Sequence, residues 1–278
     1  MIIRSLLFAP ANRLDLVAKF PGSGADCVVV DLEDGTPAAE RPSARATLAR
    51  AVASAAGRAP VFVRVNEIGS RDFADDMTAV RGTAAAGVVV PKIADAGSVA
   101  TVLAGLGEGR RIIAGIESIS GVLNATAIAA ASPAIAAAYF GAEDFGAEMG
   151  ARRTLEGSEV LYARSRVVLA AKAARVPAVD QAVIQIRDDA QYRRDAEMGR
   201  NLGYDGKLCL NPRQTQLANE IFAPSAAEVE RAKRLIAAYE AAQRQGLGAI
   251  DFEGQMVDGP LLKNAQAILA AVGRGDQQ

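Results

Sequence analysis

Glu117 and Asp144 are the pair from which a chemical reading of this sequence can start. Each follows an apolar run, RIIAGI (111–116) in one case and AAAYF (136–140) in the other. They lie 27 residues apart, about one strand–helix–strand unit, so they are expected to close neighbouring strands. Such strands run about 4.8 Å apart. Two carboxylates that close repel each other, and one pKa rises, unless a cation lies between them. The chain contains no histidine. That removes the commonest nitrogen ligand of zinc and copper and every mechanism that needs an imidazole base. A few oxygen ligands suit Mg2+, which takes one or two carboxylates and keeps water or substrate oxygens. Glu117 and Asp144 are therefore expected to be the metal ligands, with Glu143 carried beside them toward the substrate.

Arg64 closes VFVR, two strands before Glu117. A guanidinium grips a carboxylate through two parallel hydrogen bonds. Metal plus arginine describes a site for an anionic, oxygen-rich substrate such as a keto acid. The same arginine can instead be engaged by a salt bridge to a nearby acid. Other polar residues follow apolar runs directly: Asp31, Glu33, Asp34, Asn66, Lys92, Ser118, Asp180 and Asn211. A lone acid after a strand is ordinarily a turn residue or a helix N-cap, and Asp31 and Asp180 are read that way.

Positioning these residues requires strands that all end at one rim. Eight short apolar runs alternate with alanine-rich amphipathic ones. The strands are placed at 5–10, 26–34, 60–67, 87–93, 111–118, from 136, within 176–186, and at 206–212. Runs such as VVV and RIIAGI are apolar throughout, as in parallel sheets buried on both faces. Helices are placed at 12–20, 39–56, 71–81, 95–105, 119–131, 158–174, 188–201 and 213–221. In the helix at 158–174, Arg164 and Lys172 are read as flanking an apolar stripe of Val168 and Ala171, as on an outer helix. Eight strand–helix units predict a (β/α)8 TIM barrel, whose catalytic groups sit at the C-terminal ends of the strands. An open doubly wound sheet is weaker, because no glycine fingerprint follows the first strand. GSGADC (22–27) and GLGEGR (105–110) precede strands and read as turns after helices. Residues 1–222 form the predicted barrel. Residues 223–278 form a helical extension.

Bulk properties narrow the function. Among the 278 residues, 32 acids meet 31 bases, and no long basic run marks a nucleic-acid partner. No apolar run reaches the roughly 18 to 20 residues that cross a membrane. The N-terminus lacks the basic start and cleavage site of a signal peptide. Cys27 and Cys209 sit inside apolar runs without metal-type spacing. They are expected to be buried thiols of a cytoplasmic protein.

The motifs RSLLFAPANR, VVVDLEDG, VFVRVN, VVVPKI, GIES, FGAEDF and QMVDGP occur in this order. Together they resemble the citrate lyase β-subunit-like group of the HpcH/HpaI aldolase superfamily, from Arg4 to about residue 270. The resemblance implies a TIM barrel, usually trimeric or hexameric, with Mg2+ held by Glu117 and Asp144 and with Arg64 on the keto-acid oxygen. It implies cleavage or formation of a carbon–carbon bond in a 3-hydroxyacyl-CoA of the citryl, malyl or citramalyl type. The partners are then a CoA thioester and a 2-keto acid. Asp258 matches an aspartate that reaches the active site of an adjacent subunit, where it would protonate the departing enolate; otherwise it caps the last helix. Glu33 joins Arg64 and Asp258 as a catalytic residue. Arg13 and Lys19 are placed toward the CoA phosphates, or are solvated surface charges. Two loops depart from the family pattern. Asn211-Pro212 stands where histidine-proline is common, and Pro10-Ala11-Asn12-Arg13-Leu14 where Pro-Gly-x-Arg-Pro is common. Three alternatives stay open: thioester hydrolysis, a CoA-independent class II aldolase, and a subunit acting on an acyl-carrier-protein thioester.

Overall fold

The structure, a computed structural model, describes residues 2–275. These fall into two compact units, one ending at Phe222 and one beginning at Ala223.

The first unit is a closed barrel of eight parallel strands. In chain order its elements are β1 (Ser5–Pro10), α1 (Leu14–Val17), β2 (Cys27–Asp31), α2 (Arg41–Ala55), β3 (Val61–Arg64), α3 (Phe73–Arg81), β4 (Gly87–Val90), α4 (Ala96–Leu106), β5 (Arg111–Ile116), α5 (Ile119–Ala129) and β6 (Ile135–Phe140). There follow α6 (Ala142–Met149), α7 (Leu161–Ala174), β7 (Ala178–Asp180), α8 (Asp189–Leu202), β8 (Gly206–Cys209) and α9 (Pro212–Phe222). β8 pairs back onto β1 through Leu6 and Leu208, which closes the ring.

The all-apolar strands follow from burial on both faces. Val29, Phe62, Val89 and Ile113 cluster with Leu6, Tyr139 and Leu208 inside the barrel. Their neighbours Val28, Val30, Val63, Val88 and Ala114 pack outward with the helices. Because side chains alternate along a strand, the same parity aims Asp31, Arg64 and Glu117 at the barrel axis. It aims Asp180, in step with Ala178, at the helix layer.

Three expectations need correction. The sixth unit has an extra helix, α6, so Glu143 and Asp144 occupy the first turn of a helix rather than a strand end. Arg164 is no outer residue. It is fully buried, and Asp180 and Asp195 hold it through ion pairs. Asp180 is neither turn nor cap. It is buried between Arg164 and Lys207.

The second unit contains α10 (Ala226–Gln243), β9 (Ile250–Phe252), β10 (Gln255–Val257) and α11 (Gly259–Gly275). Ser225 and Glu228 form a capping box at the start of α10. Between the two helices of this extension, β9 and β10 form an antiparallel hairpin. Its turn, Glu253-Gly254, has positive φ at both residues (55° and 77°), the geometry that two-residue hairpin loops demand. Leu235, Tyr239, Val257 and Ala265 make a separate small core. No helix among the described residues is long and apolar enough to cross a membrane.

Candidate active site

At the C-terminal rim, Asp31 and Arg64 stand side by side in the β2–β3 register. Arg64 donates from Nε and Nη2 to the two Asp31 oxygens at 2.7 and 2.6 Å. Asp31 also accepts from the backbone N–H groups of Glu33 and Gly35. Asp31 is thus both the turn residue expected and the anchor of the arginine. The guanidinium lies 5.2 Å from the Phe8 ring centroid, a cation–π stack. Burial works against the charge on Arg64, but Asp31 and Glu33 outweigh it and keep the pKa well above the ordinary arginine value.

Glu33, expected to be catalytic, is buried behind this pair and is not part of the cavity wall. Its carboxylate sits 2.9 Å from Arg64 Nη1 and 3.4 Å from Lys92 Nζ. Burial raises its pKa, against the pull of Arg64. The geometry sets Glu33 against Arg64 and Lys92 rather than on the cavity wall.

Lys92 was visible in the sequence as a strand-end residue without a role. Its ammonium also reaches Asp144 Oδ1 at 3.2 Å, so it links the second barrel strand to α6. Its φ is +51°, a left-handed conformation costing a side-chain-bearing residue roughly 1–2 kcal/mol. Partial burial disfavours the ammonium, but Glu33 and Asp144 outweigh that and raise its pKa.

Glu117 follows β5 and is only 4% exposed. Gly141, opposite it, leaves it room: a Cβ there would lie 2.4 Å from Glu117 Cγ. Glu117 Oε2 is buried, and no described residue donates to it; the neighbouring Tyr139 hydroxyl likewise lacks a hydrogen bond of normal geometry. Burial pushes the Glu117 pKa up to about 7, with Tyr139 and Arg64 pulling the other way.

Glu117, Asp144, Glu143, Arg64, Asp31 and Tyr139 all line one cavity of about 410 Å3. Its other wall is apolar, formed partly by Phe8, Ala182 and Leu208. The structure therefore brings together Glu117, Asp144, Glu143 and Arg64. Glu143 bonds Arg153 at 3.1 Å. The charges that touch around the two candidate ligands do not balance. Asp31, Glu33, Glu117 and Asp144 face only Arg64 and Lys92.

Other expected residues lie elsewhere. Arg13 is exposed and paired to Asp15, Lys19 is exposed, and neither lines this cavity. Ser118 caps α5. Asn211 accepts from the Gln214 N–H at the start of α9, a helix-capping bond. Asn66 is buried against Leu32 and Asp76. In the second unit, the Asp258 carbonyl accepts from Leu262 as α11 begins.

The sequence profile of the HpcH/HpaI aldolase/citrate lyase family matches residues 4–212. The chain belongs to that family. It is 48% identical to a citrate lyase subunit beta-like protein from Deinococcus radiodurans, over 97% of both chains. It is 34% identical to a (3S)-malyl-CoA thioesterase from Cereibacter sphaeroides, over 96% of this chain and 93% of that one. A crystal structure of the protein CitE from Mycobacterium tuberculosis, in complex with magnesium, acetoacetate and coenzyme A, superposes with a TM-score of 0.84 at 33% identity, covering 98% of both chains. Membership assigns the barrel to a family of aldolases and lyases.

Proposed function

We propose that this chain is a Mg2+-dependent carbon–carbon lyase that cleaves a 3-hydroxyacyl-CoA into an acyl-CoA and a 2-keto acid. One observation carries the reading. Four acids meet two cations, and the buried Glu117 Oε2 accepts no hydrogen bond of normal geometry from a described residue, whereas the other such carboxylate oxygen, Glu33 Oε2, lies 2.9 Å from Arg64. Asp34, on the same cavity wall, adds to this excess of acids, which favours a divalent cation. Carboxylate oxygens in a chain without histidine suit Mg2+, which leaves positions for substrate oxygens. Glu117 and Asp144 would hold it. When bound, it supplies positive charge for the keto-acid oxygens.

The residues supply the rest. Arg64, fixed by Asp31 and Glu33, presents its guanidinium to the oxygen that changes from hydroxyl to ketone as the carbon–carbon bond breaks. The apolar wall at Phe8 and Leu208 would face the thioester side. The departing enolate needs a proton on carbon, and Asp258 of a neighbouring subunit is the proposed donor. Leu123, Tyr162 and Leu169, exposed on α5 and α7, support a homo-oligomer. Arg13 and Lys19 remain candidates for the CoA phosphates through their exposure alone, and a cytoplasmic location is part of the same reading.

Thioester hydrolysis is the second reading, favoured by the malyl-CoA thioesterase relative. Product analysis separates the two. Acyl-CoA with a keto acid supports the lyase, whereas free CoA with a hydroxy diacid supports the thioesterase. Turnover by the isolated chain argues against action within a complex on a carrier-protein thioester. Calorimetric titration with Mg2+ tests the metal assignment: Glu117→Gln and Asp144→Asn should each abolish binding, and normal affinity in either variant overturns it.

A further inference from the structure

A second compartment, of about 130 Å3, adjoins the active-site cavity and shares Glu143, Ala182 and Ile184 with it. The remaining wall is mostly polar and includes Arg153, Gln181 and Asp195.

Gln181 is 2% exposed. Its Nε2 faces the two Asp195 oxygens at 3.1 and 3.3 Å. A carboxylate only accepts hydrogen bonds, so the amide has one permitted orientation, and Oε1 is the atom left over. That oxygen is buried, and no described residue donates to it. A buried acceptor without a donor is destabilising, so a group that donates to it would be favoured in this compartment.

Charge limits what that ligand can be. Arg153, the cation on this wall, is engaged by Glu143 and Glu159. Asp195 is held by Arg164 and Lys207. No cation on the wall is left for an incoming carboxylate, which would meet Glu143 and Asp195. Both acids already have partners, so a cationic group gains little. A neutral hydroxyl fits.

We propose that this compartment receives a neutral, hydroxyl-bearing substituent on the keto-acid half of the substrate, the hydroxyl donating to Gln181 Oε1. The inference rests on the lyase reading and extends it: the favoured substrate carries a hydroxylated side arm there rather than a further carboxylate.

Calorimetry on the full chain with saturating Mg2+ tests it, using pairs of keto acids in which a methyl replaces a hydroxyl. Hydroxypyruvate is compared with 2-oxobutanoate, and 4-hydroxy-2-oxobutanoate with 2-oxopentanoate, with pyruvate and oxaloacetate as references. The hydroxylated member of at least one pair should bind about threefold to tenfold tighter, and Gln181→Leu or Gln181→Met should erase the preference. Equal affinities within both pairs, a preference that survives loss of the amide, or tighter binding of oxaloacetate than of every hydroxylated acid overturns the proposal. If pyruvate and oxaloacetate bind normally in those cases, the lyase reading stands without it. If no keto acid binds at all, the lyase reading fails and this inference falls with it. The isostere comparison in the unsubstituted protein holds even if a Gln181 variant does not fold.

Discussion

Two groups of charged residues lie against the strands of this barrel, and they are built to opposite specifications. Outside the barrel, Arg164 and Lys207 meet Asp180 and Asp195. The charges cancel, Arg164 donates to both Asp180 oxygens at 2.8 and 2.5 Å, and the Tyr204 hydroxyl caps the Arg164 carbonyl. Inside, at the rim, Asp31, Glu33, Glu117 and Asp144 outnumber Arg64 and Lys92, and Glu117 keeps an oxygen without a donor. The first group leaves nothing for a ligand to do. The second has a deficit that a ligand removes. Buried charge by itself therefore does not mark the functional site; an unbalanced, unsatisfied cluster does.

Several substitutions break or sharpen this contrast. Asp180→Asn strips one partner from two buried cations, so chemical denaturation should show a loss of about 3–5 kcal/mol. A loss under 1 kcal/mol would mean that the outer cluster is not the lock described here. Arg64→Lys keeps a charge at the rim but forfeits the two-point grip on Asp31. Turnover should fall about 100- to 1000-fold, the scale of a lost transition-state donor, while steady-state assays on Asp180→Asn at a temperature where it stays folded show little change. Similar kinetic losses in both would dissolve the distinction.

A pH series probes the unsatisfied acid. Folding raises the Glu117 pKa from 4.5 to about 7, so the folded, metal-free protein binds that proton more tightly than the unfolded chain does. Its contribution to stability is present below about pH 4.5 and is lost as pH rises through about 7, a change on the order of 3 kcal/mol. Thermal unfolding without metal should show that decline, Glu117→Gln should flatten it, and Mg2+ should offset it at pH 8. A flat profile in the unsubstituted protein would contradict the buried, unpartnered carboxylate. The smallest effect belongs to Tyr204→Phe, which removes one buried hydrogen bond of the outer cluster. It should cost about 1 kcal/mol in unfolding experiments and leave kcat unchanged.

Much of the rim was legible from residue order. Apolar runs ending in Asp31, Arg64 and Glu117 name the strand ends, but that all three share the lumen face follows from the register between strands, which runs apolar throughout do not reveal. Lys92 was equally visible, yet its link from Glu33 to Asp144 depends on a left-handed backbone that the letters PKI do not announce. The short helix α6 hid inside FGAEDFGAEMG because its glycines and single turn of acids read as a strand leaving the barrel. The hairpin at Glu253-Gly254 had a turn signal that the surrounding helices overshadowed.

Local chemistry determined the barrel: short strands apolar on both faces can be buried only between a filled lumen and a helix layer, and the absence of histidine restricted any site to oxygen ligands and fixed cations. Tertiary structure decided which charges do chemistry. Asp31 and Asp180 are alike in sequence, each an acid closing an apolar strand, yet opposite parity sends one to the rim and the other against Arg164. Whether an acid meets one partner, two or none depends on elements far apart in the chain, and only the closed fold brings those together.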